Sequence, residues 1–337
     1  MGRNTEMRVV CFGLGPIGCE IARVAASRQD VDIIGAVDVD PAKVWRSLRD
    51  VSGAASEVVV SASFDEAVSG GAVDAVLHST LSSLPIMWEQ VAELVSQGVS
   101  VVSTCEELAY PWHTQTGIAR EMDEVARASG ARLLGTGVNP GYIMDILPLV
   151  LTAPCQDVTR VHVERLVDAG GRRGSLQRKV GAGLSPAEFD ALVSAGRVRH
   201  VGLTESAWMI LDGLGWEPDE WDESIEPMLA EREVHTDVLT VAPGQVTGVR
   251  QMVRVLHKGT EKLRMDLSMY VGATDPHDRI WVTGAPDMDV LVRGGVHGDR
   301  ATAGMVLNAL PPLLARPPGL TTMLDLLPIR CAAGRGA

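Results

Sequence analysis

Residues 8–38 read RVVCFGLGPIGCEIARVAASRQDVDIIGAVD, and the order of features in this stretch decides the fold. Arg8–Phe12 is a short apolar run of strand character, and Gly13-Leu14-Gly15-Pro16-Ile17-Gly18 follows it at once. Ile17–Arg28 has the apolar spacing of a helix, and Val31–Val37 is a second strand-like run ending at Asp38. Strand, GxGxxG turn and helix in that order make a phosphate cradle. One glycine forms the turn, one lets backbone approach a pyrophosphate, one lets the helix pack closely, and the helix N-terminus faces the phosphates. Asp38 arrives about 20 residues after the last glycine, where a carboxylate accepts both hydroxyls of an adenosine ribose and repels a 2′-phosphate. That favours NAD over NADP as cofactor, with Arg46 or Arg49 placed to soften the preference. Read otherwise, the glycines make only a tight turn and Asp38 caps the next helix; the coincidence of strand, glycines, helix and acid weighs against this.

Outward from this unit the pattern repeats. Strand-like Val58–Val60, Ala75–Leu77, Ser100–Val102 and Arg132–Leu134 alternate with helix-like Pro85–Gln97 and Thr116–Ser129. This predicts an α/β fold, a Rossmann-type doubly wound parallel sheet covered on both faces. After Pro140 the texture turns β-rich, with Val158–Val167, Val234–Val241, Gly248–Leu256, Lys262–Val271, Arg279–Val282 and Asp289–Arg293, and helices at Pro186–Ala195 and Glu205–Leu214. A second α+β domain with a mixed or antiparallel sheet is expected. The expected division is a dinucleotide-binding domain over 1–140, a substrate and dimerisation domain over 141–298, and a helical tail over 299–337, capped by Asp299, packing back on the first. The acidic run from Glu217 to Glu226 reads as a solvated face with Trp216 and Trp221 turned inward. Few helices separate the later strands, so an uncovered apolar sheet face and a homodimer are expected; the alternative is that the two helices cover it and leave a monomer.

Composition narrows the function classes. The 337 residues suffice for two domains. Thirty Lys and Arg against 43 Asp and Glu give a net charge of −13, the wrong sign for gripping a nucleic-acid backbone. Cys11, Cys19, Cys105, Cys155 and Cys331 show no CxxC pair and no metal-ligand spacing, which points to a reducing compartment and no metal. The polar first residues lack a signal-peptide pattern, and the longest uncharged stretches fall short of a membrane span. The expectation is a cytoplasmic protein with neither membrane nor nucleic-acid partner.

Candidate site residues cluster after the strands. Ser79 and Thr80 follow Ala75–Leu77 at the carboxyl end of a parallel strand, where ligands bind in open sheets, although such residues also serve as caps. Ser100–Val102 leads to Ser103-Thr104-Cys105-Glu106-Glu107. Paired carboxylates there can hold an ammonium group and move protons, or else complement a helix dipole; on an extended segment only one of them faces the site. Thr104, and Asn308 in the tail, are further cofactor-side candidates. Thr136 to Tyr142 contains Asn139-Pro140-Gly141, a turn signal that serves a corner, a binding role or both.

The phrases FGLGPIG, STCEEL, GTGVNPGY and GGVHGD, with PGLTTMLDLLP near the C-terminus, resemble those of the 2,4-diaminopentanoate dehydrogenases and related native amine dehydrogenases, whose amino-terminal half is similar to dihydrodipicolinate reductase. The resemblance spans nearly the whole chain. It implies NAD(P)-dependent reductive amination of a ketone or aldehyde with ammonia, and the reverse deamination, with Glu106 or Glu107 as the catalytic residue. It implies too a substrate pocket between domains that draws on Asn139, Pro140, Tyr142, Met144, Arg165 and His297, and a dimer. Arg165 alternatively pairs with an acid on its own sheet face, and His297 orients a helix start. The competing function classes are a reductase of C=N or C=C bonds that needs no ammonia, and a nonenzymatic dinucleotide sensor.

Overall fold

The computed structural model describes residues 6–68 and 70–326; Cys331 and the end of the PGLTTMLDLLP phrase lie outside the described residues. The chain forms two compact units, Met1–Tyr142 with His297–Ala337, and Ile143–Val296.

In the first unit the apolar runs become β1 (Met7–Phe12), β2 (Val31–Val37), β3 (Val60–Ser61), β4 (Ala75–His78), β5 (Ser100–Ser103) and β6 (Arg132–Gly135), all paired in parallel. Between them lie α1 (Pro16–Ala26), α2 (Leu48–Ser52), α3 (Phe64–Ala67), α4 (Leu84–Ser96) and α5 (Thr116–Ser129). Val9, Val10, Val76, Val101, Val102 and Leu133 are fully buried, because a parallel sheet carries helices on both faces. Met87 and Val91 of α4, with Ala119 and Met122 of α5, close over Val10, Val76, Val101 and Leu133.

The second unit holds α6 (Ile146–Leu151), β7 (Val158–Asp168), α7 (Gly174–Lys179), α8 (Pro186–Ser194), α9 (Leu203–Leu214), β8 (Glu220–Leu229), a ribbon of β9 (Val234–His235) and β10 (Thr240–Val241), β11 (Val246–His257), β12 (Thr260–Tyr270), β13 (His277–Gly284) and β14 (Met288–Arg293). The large sheet runs β14-β13-β7-β12-β11-β8 and is mixed, with β7 and β12 parallel and the other pairs antiparallel.

Two expectations are corrected here. The acidic run is not merely a solvated face: it builds edge strand β8, whose period-two alternation sends Asp222, Ser224 and Glu226 one way and Trp221 and Ile225 the other. Trp221 stacks on Trp208 of α9 at 5.2 Å, and Pro227 is tolerable because an edge strand has one unpaired side. The apolar sheet face, formed by residues such as Val161, Val163, Leu263, Met265, Val253 and Ile280, is not left open, since α6 and α9 lie on it. The other face is charged: Arg160 and Arg254 share Glu261, while His162, Arg250 and Arg264 converge on Asp266.

The chain then returns to the first unit as α10 (Gly298–Leu314), packed against α1 and β5, and β15 (Gly319–Thr321), which pairs with β6. The tail is thus not wholly helical: it supplies the outermost strand of the order β15-β6-β5-β4-β1-β2-β3. The N-cap of α10 is His297 rather than Asp299, which sits in the first turn. Among the described residues no helix is long and apolar enough to cross a membrane.

Candidate active site

Parallel strands send the loops after β1, β2, β4, β5 and β6 to one edge of the sheet, where open α/β sheets bind ligands. The three glycines of the first loop do three different things. Gly13 takes φ +88°, a left-handed turn, and a Cβ there would meet the Ser79 carbonyl oxygen at 2.7 Å. A Cβ on Gly18 would lie 1.9 Å from the Gly13 oxygen, so only glycine lets α1 start so close to the turn. Gly15, the N-cap of α1, would point a Cβ into open space. The missing side chain at Gly15 serves no contact inside the protein; it leaves the N-terminus of an 11-residue helix open to an anion. Pro16 at the first helical position donates no N–H, and Leu14 and Ile17 complete the loop. A dinucleotide pyrophosphate fits this cradle.

Asp38 closes the loop after β2. Its Oδ2 accepts from the Leu14 N–H at 2.7 Å and from Lys43 Nζ at 3.0 Å, and its Oδ1 accepts from the Asp40 N–H at 2.9 Å. Burial alone would raise its pKa, but the Asp40 N–H, Lys43 and the Leu14 N–H outweigh it and hold the carboxyl below its usual value. Arg46 and Arg49 are engaged elsewhere, Arg46 on the Asp50 carbonyl and Arg49 on Glu57.

Ser79 braces the glycine loop, its hydroxyl donating to the Gly13 carbonyl at 2.8 Å. Thr80 belongs to a network centred on His78, the buried last residue of β4. His78 Nδ1 lies 2.9 Å from Ser103 Oγ, and Nε2 lies 2.9 Å from Gln90 Oε1 and 3.0 Å from Thr80 Oγ1. Thr80 donates to Gln90 Oε1 at 2.6 Å, and Ser103 Oγ accepts the Cys105 N–H at 3.0 Å. The consistent assignment places the ring proton on Nε2, facing the two oxygens, and leaves Nδ1 to accept from Ser103. Burial lowers this imidazole to about 4 from 6.5, so it is neutral at pH 7.

The carboxylates follow directly. Thr104 donates its N–H to the His78 carbonyl at 3.0 Å, and Glu106–Leu108 form a single 3-10 turn. Glu107 Oε2 accepts the Leu84 N–H at 2.8 Å, which seats it on the N-terminus of α4. Glu106 is half-buried and its side chain has no hydrogen-bond or ion-pair partner among the described residues. After β6, Val138 donates its N–H to Thr302 Oγ1 of α10 at 3.2 Å, tying down the segment that leads to buried Asn139 and its cis peptide to Pro140.

Gly13 to Gly18, Asp38, Ser79, Thr80, Thr104, Glu106, Glu107, Asn139 and Pro140 thus lie in the loops of one sheet edge. Asn308 does not join them: its Oδ1 accepts from Arg28 just beyond the C-terminal end of α1, about 15 Å along that helix from the phosphate cradle. Tyr142 is half-buried at the end of this unit's first segment, and His297 is an exposed N-cap. Met144 and Arg165 belong to the second unit and are buried. Arg165 stands opposite Asp278 across β7 and β13; Nη1 donates to Asp278 Oδ1 at 2.5 Å and Nη2 to the Val296 carbonyl at 2.8 Å. Asp278 Oδ2 in turn accepts the Val296 N–H at 2.7 Å, so the pair clamps the Gly294–Val296 turn. Sequence reasoning missed Lys43 and His78. The position of His78, a polar ring closing the apolar run AVLH directly before Ser79, was the available signal.

Comparison with known proteins gives the family and the fold. Residues 142–335 match the model of the 2,4-diaminopentanoate dehydrogenase C-terminal domain. The chain is 28% identical over 330 residues to a 2,4-diaminopentanoate dehydrogenase of Acetoanaerobium sticklandii, covering 95% of this chain and 93% of that protein. It is 22% identical over 355 aligned positions to an amine dehydrogenase of Streptomyces virginiae, covering 97% of each. It shares the fold of the amine dehydrogenase from Mycobacterium smegmatis, with TM-score 0.82, 24% identity, and coverage of 97% of this chain and 98% of that one. Since the matched model takes in more than half of its residues, the chain belongs to the 2,4-diaminopentanoate dehydrogenase family.

Proposed function

We propose that this protein is an NAD-dependent amine dehydrogenase that interconverts a carbonyl compound plus ammonia with the corresponding primary amine. The observation that carries the reading is the placement of Glu106 and Glu107 on the loop after β5, at the same sheet edge as the glycine loop after β1 and two strands away from it. Family membership and the two relatives named as dehydrogenases of 2,4-diaminopentanoate or of an amine support the substrate class. The N-terminus of α1 and Gly15 hold the pyrophosphate, Asp38 the adenosine ribose, and Ser79 and Thr80 border the nicotinamide half.

When bound, the nicotinamide nucleotide supplies the hydride in amination and accepts it in deamination. The protein handles charge and protons. We assign that work to Glu107, because the Leu84 N–H fixes one of its oxygens and leaves a carboxylate oriented before substrate arrives. It accepts a proton from ammonium, freeing the nitrogen lone pair to form the C–N bond. It returns the proton to the carbinol oxygen as water leaves, and its negative charge then stabilises the iminium cation. Glu106 adds a second negative charge nearby; Asn139 and Pro140 border the carbonyl side.

The assembly is a homodimer, supported by the charged sheet face. There a cleft of about 340 Å³ is lined by the carboxylates Asp222 and Glu226 and the guanidinium groups of Arg250, Arg254 and Arg264, a face carrying both signs of charge, as a two-fold contact between identical surfaces requires. Free Cys11, Cys19, Cys105 and Cys155 support work in the cytoplasm.

The test is NADH oxidation with a panel of ketones and aldehydes, with and without ammonium, in wild type, Glu107→Gln and Glu106→Gln. Ammonium-dependent turnover that falls at least about 100-fold in Glu107→Gln and less than about 10-fold in Glu106→Gln is expected. Unchanged turnover in both variants removes the carboxylate role, and turnover indifferent to ammonium makes the protein a simple reductase.

A further inference from the structure

We propose that His78 is the positioning residue for Glu107, its ring fixing the separation of the two loops that supply the backbone and the seat of that carboxylate; this rests on the catalytic role proposed for Glu107 above. His78 and Ser103 are the last residues of β4 and β5 and stand opposite each other in the register. Thr104 extends the ladder by one bond, its N–H reaching the His78 carbonyl at 3.0 Å. The chain then leaves the sheet in two loops. One carries Glu107 in its 3-10 turn, and the other carries Leu84, whose N–H seats the Glu107 carboxylate. The separation of these loops therefore sets where the carboxylate lies.

The imidazole spans them. Nδ1 accepts from Ser103 Oγ at 2.9 Å on one side, while Nε2 donates to Thr80 Oγ1 at 3.0 Å and Gln90 Oε1 at 2.9 Å on the other. Two further ties meet at the Ser82 carbonyl and are weaker: the Cys105 thiol at 3.2 Å and the Glu107 N–H at 3.4 Å. His78 and Ser103 are fully buried, so a lost partner is not replaced by water. Direction matters as much as length. With Nδ1 accepting, the Ser103 hydrogen points to the ring and its oxygen is left for the N–H of Cys105, the N-cap of the turn that carries Glu107. An imidazolium would add a hydrogen at Nδ1 and turn it on that same oxygen. The ring's neighbours are Phe12 of β1, Gln90 of α4, Thr80 and Ser103, all uncharged, so the neutral form is the one this site holds.

The test is steady-state kinetics of ammonium-dependent turnover, with NADH binding measured separately, on wild type, His78→Asn, Gln90→Glu and the double variant. Asparagine can replace Nδ1 but not Nε2, so His78→Asn is expected to lose about 10- to 100-fold in kcat while NADH affinity stays within about threefold of wild type. Gln90→Glu keeps the shape of the site and sets a carboxylate on Nε2, which favours imidazolium. Its kcat relative to wild type should be within about threefold at about pH 9 and fall at least about 10-fold further by about pH 6. In the double variant that ratio should not change with pH. Wild-type kcat in His78→Asn, a loss that falls on NADH affinity instead, or a Gln90→Glu ratio indifferent to pH overturns the inference, as does a pH-dependent ratio that persists in the double variant. Should His78→Asn fail to fold, the Gln90→Glu profile decides. A wild type without ammonium-dependent turnover overturns the amine dehydrogenase reading itself, and this inference with it.

Discussion

Gly15 and Gly18 stand three residues apart in one loop, and the same methyl group added to each should fail for opposite reasons. At Gly15 the backbone has φ −64° and ψ −179°, open to any residue, and a Cβ finds no atom within 4 Å. Alanine at an N-cap costs up to about 1 kcal/mol, and the lower entropy of the unfolded chain returns about 0.4–1 kcal/mol. Stability should therefore stay within about 0.5 kcal/mol of wild type. The methyl instead occupies the approach of the pyrophosphate to the α1 N-terminus. Losing one charge-assisted hydrogen bond there, about 1.5–3 kcal/mol, weakens NADH binding about 10- to 100-fold. At Gly18 the added carbon lies 1.9 Å from the Gly13 oxygen and 2.6 Å from Ser79 Oγ, so α1 must shift, and about 1–3 kcal/mol or more of stability is lost along with binding. Urea unfolding of the unliganded variants, paired with NADH fluorescence titration, separates the two effects. A Gly15→Ala protein that binds NADH like wild type, or one as unstable as Gly18→Ala, refutes the assignment of Gly15 to the phosphate approach.

Acid should destabilise the protein through His78. Its folded value near 4 lies below the unfolded 6.5, so the unfolded chain holds the extra proton between those values. Its contribution is full above pH 6.5 and is lost on the way down to pH 4, on the order of 3 kcal/mol. Buried His200, lowered to about 3, adds a parallel loss, so His78→Gln should flatten but not abolish the slope of unfolding free energy against pH; an unaltered slope would show that His78 titrates freely. Light scattering at micromolar concentration should give the mass of two chains, and Arg250→Glu with Arg254→Glu should shift it toward one; a wild-type mass of one chain removes the dimer.

Legibility in the sequence followed the range of the interaction. The β1–α1–β2 unit could be read because its signals lie within some thirty residues and each is local: an apolar run, glycines whose backbone is special, a helix period. Thr116–Ser129 was readable to the residue for the same reason. Edge strand β8 was hidden because charge dominates its composition, and only its pairing with β11 reveals a strand there whose alternate residues face opposite sides of the sheet. Arg165 could be read either as a ligand group or as a structural ion pair, and the choice depended on Asp278, 113 residues away and opposite it in the register. The apolar face of the second sheet could not be assigned a cover without knowing that α6 and α9 lie on it. Lys43 was passed over for Arg46 and Arg49 because the turn that directs its ammonium back to Asp38 has no marker beyond its spacing.

The His78 network explains why so many candidate residues belong to one rigid assembly. Ser79 donates its N–H to the Phe12 carbonyl and its hydroxyl to Gly13, fastening the β4 loop to the phosphate loop. One residue earlier, the His78 ring holds Thr80 on one side and Ser103 on the other, and Ser103 holds the Cys105 N–H. Cys105 Sγ then reaches the Ser82 carbonyl at 3.2 Å, and Glu107 caps Leu84 on the same loop. Hydrogen bonds joined through the short backbone links Ser79–His78 and Ser82–Leu84 thus connect Gly13 to the carboxylate of Glu107. Hydride transfer depends on the reacting carbon being held against the nucleotide to within a fraction of an ångström. The Glu107 carboxylate is indexed to the glycine loop through one neutral imidazole, the kind of fixed placement that the proposed reaction would demand. Protonating His78 would put a second hydrogen between Nδ1 and Ser103 Oγ, and would disturb both ends of the chain at once.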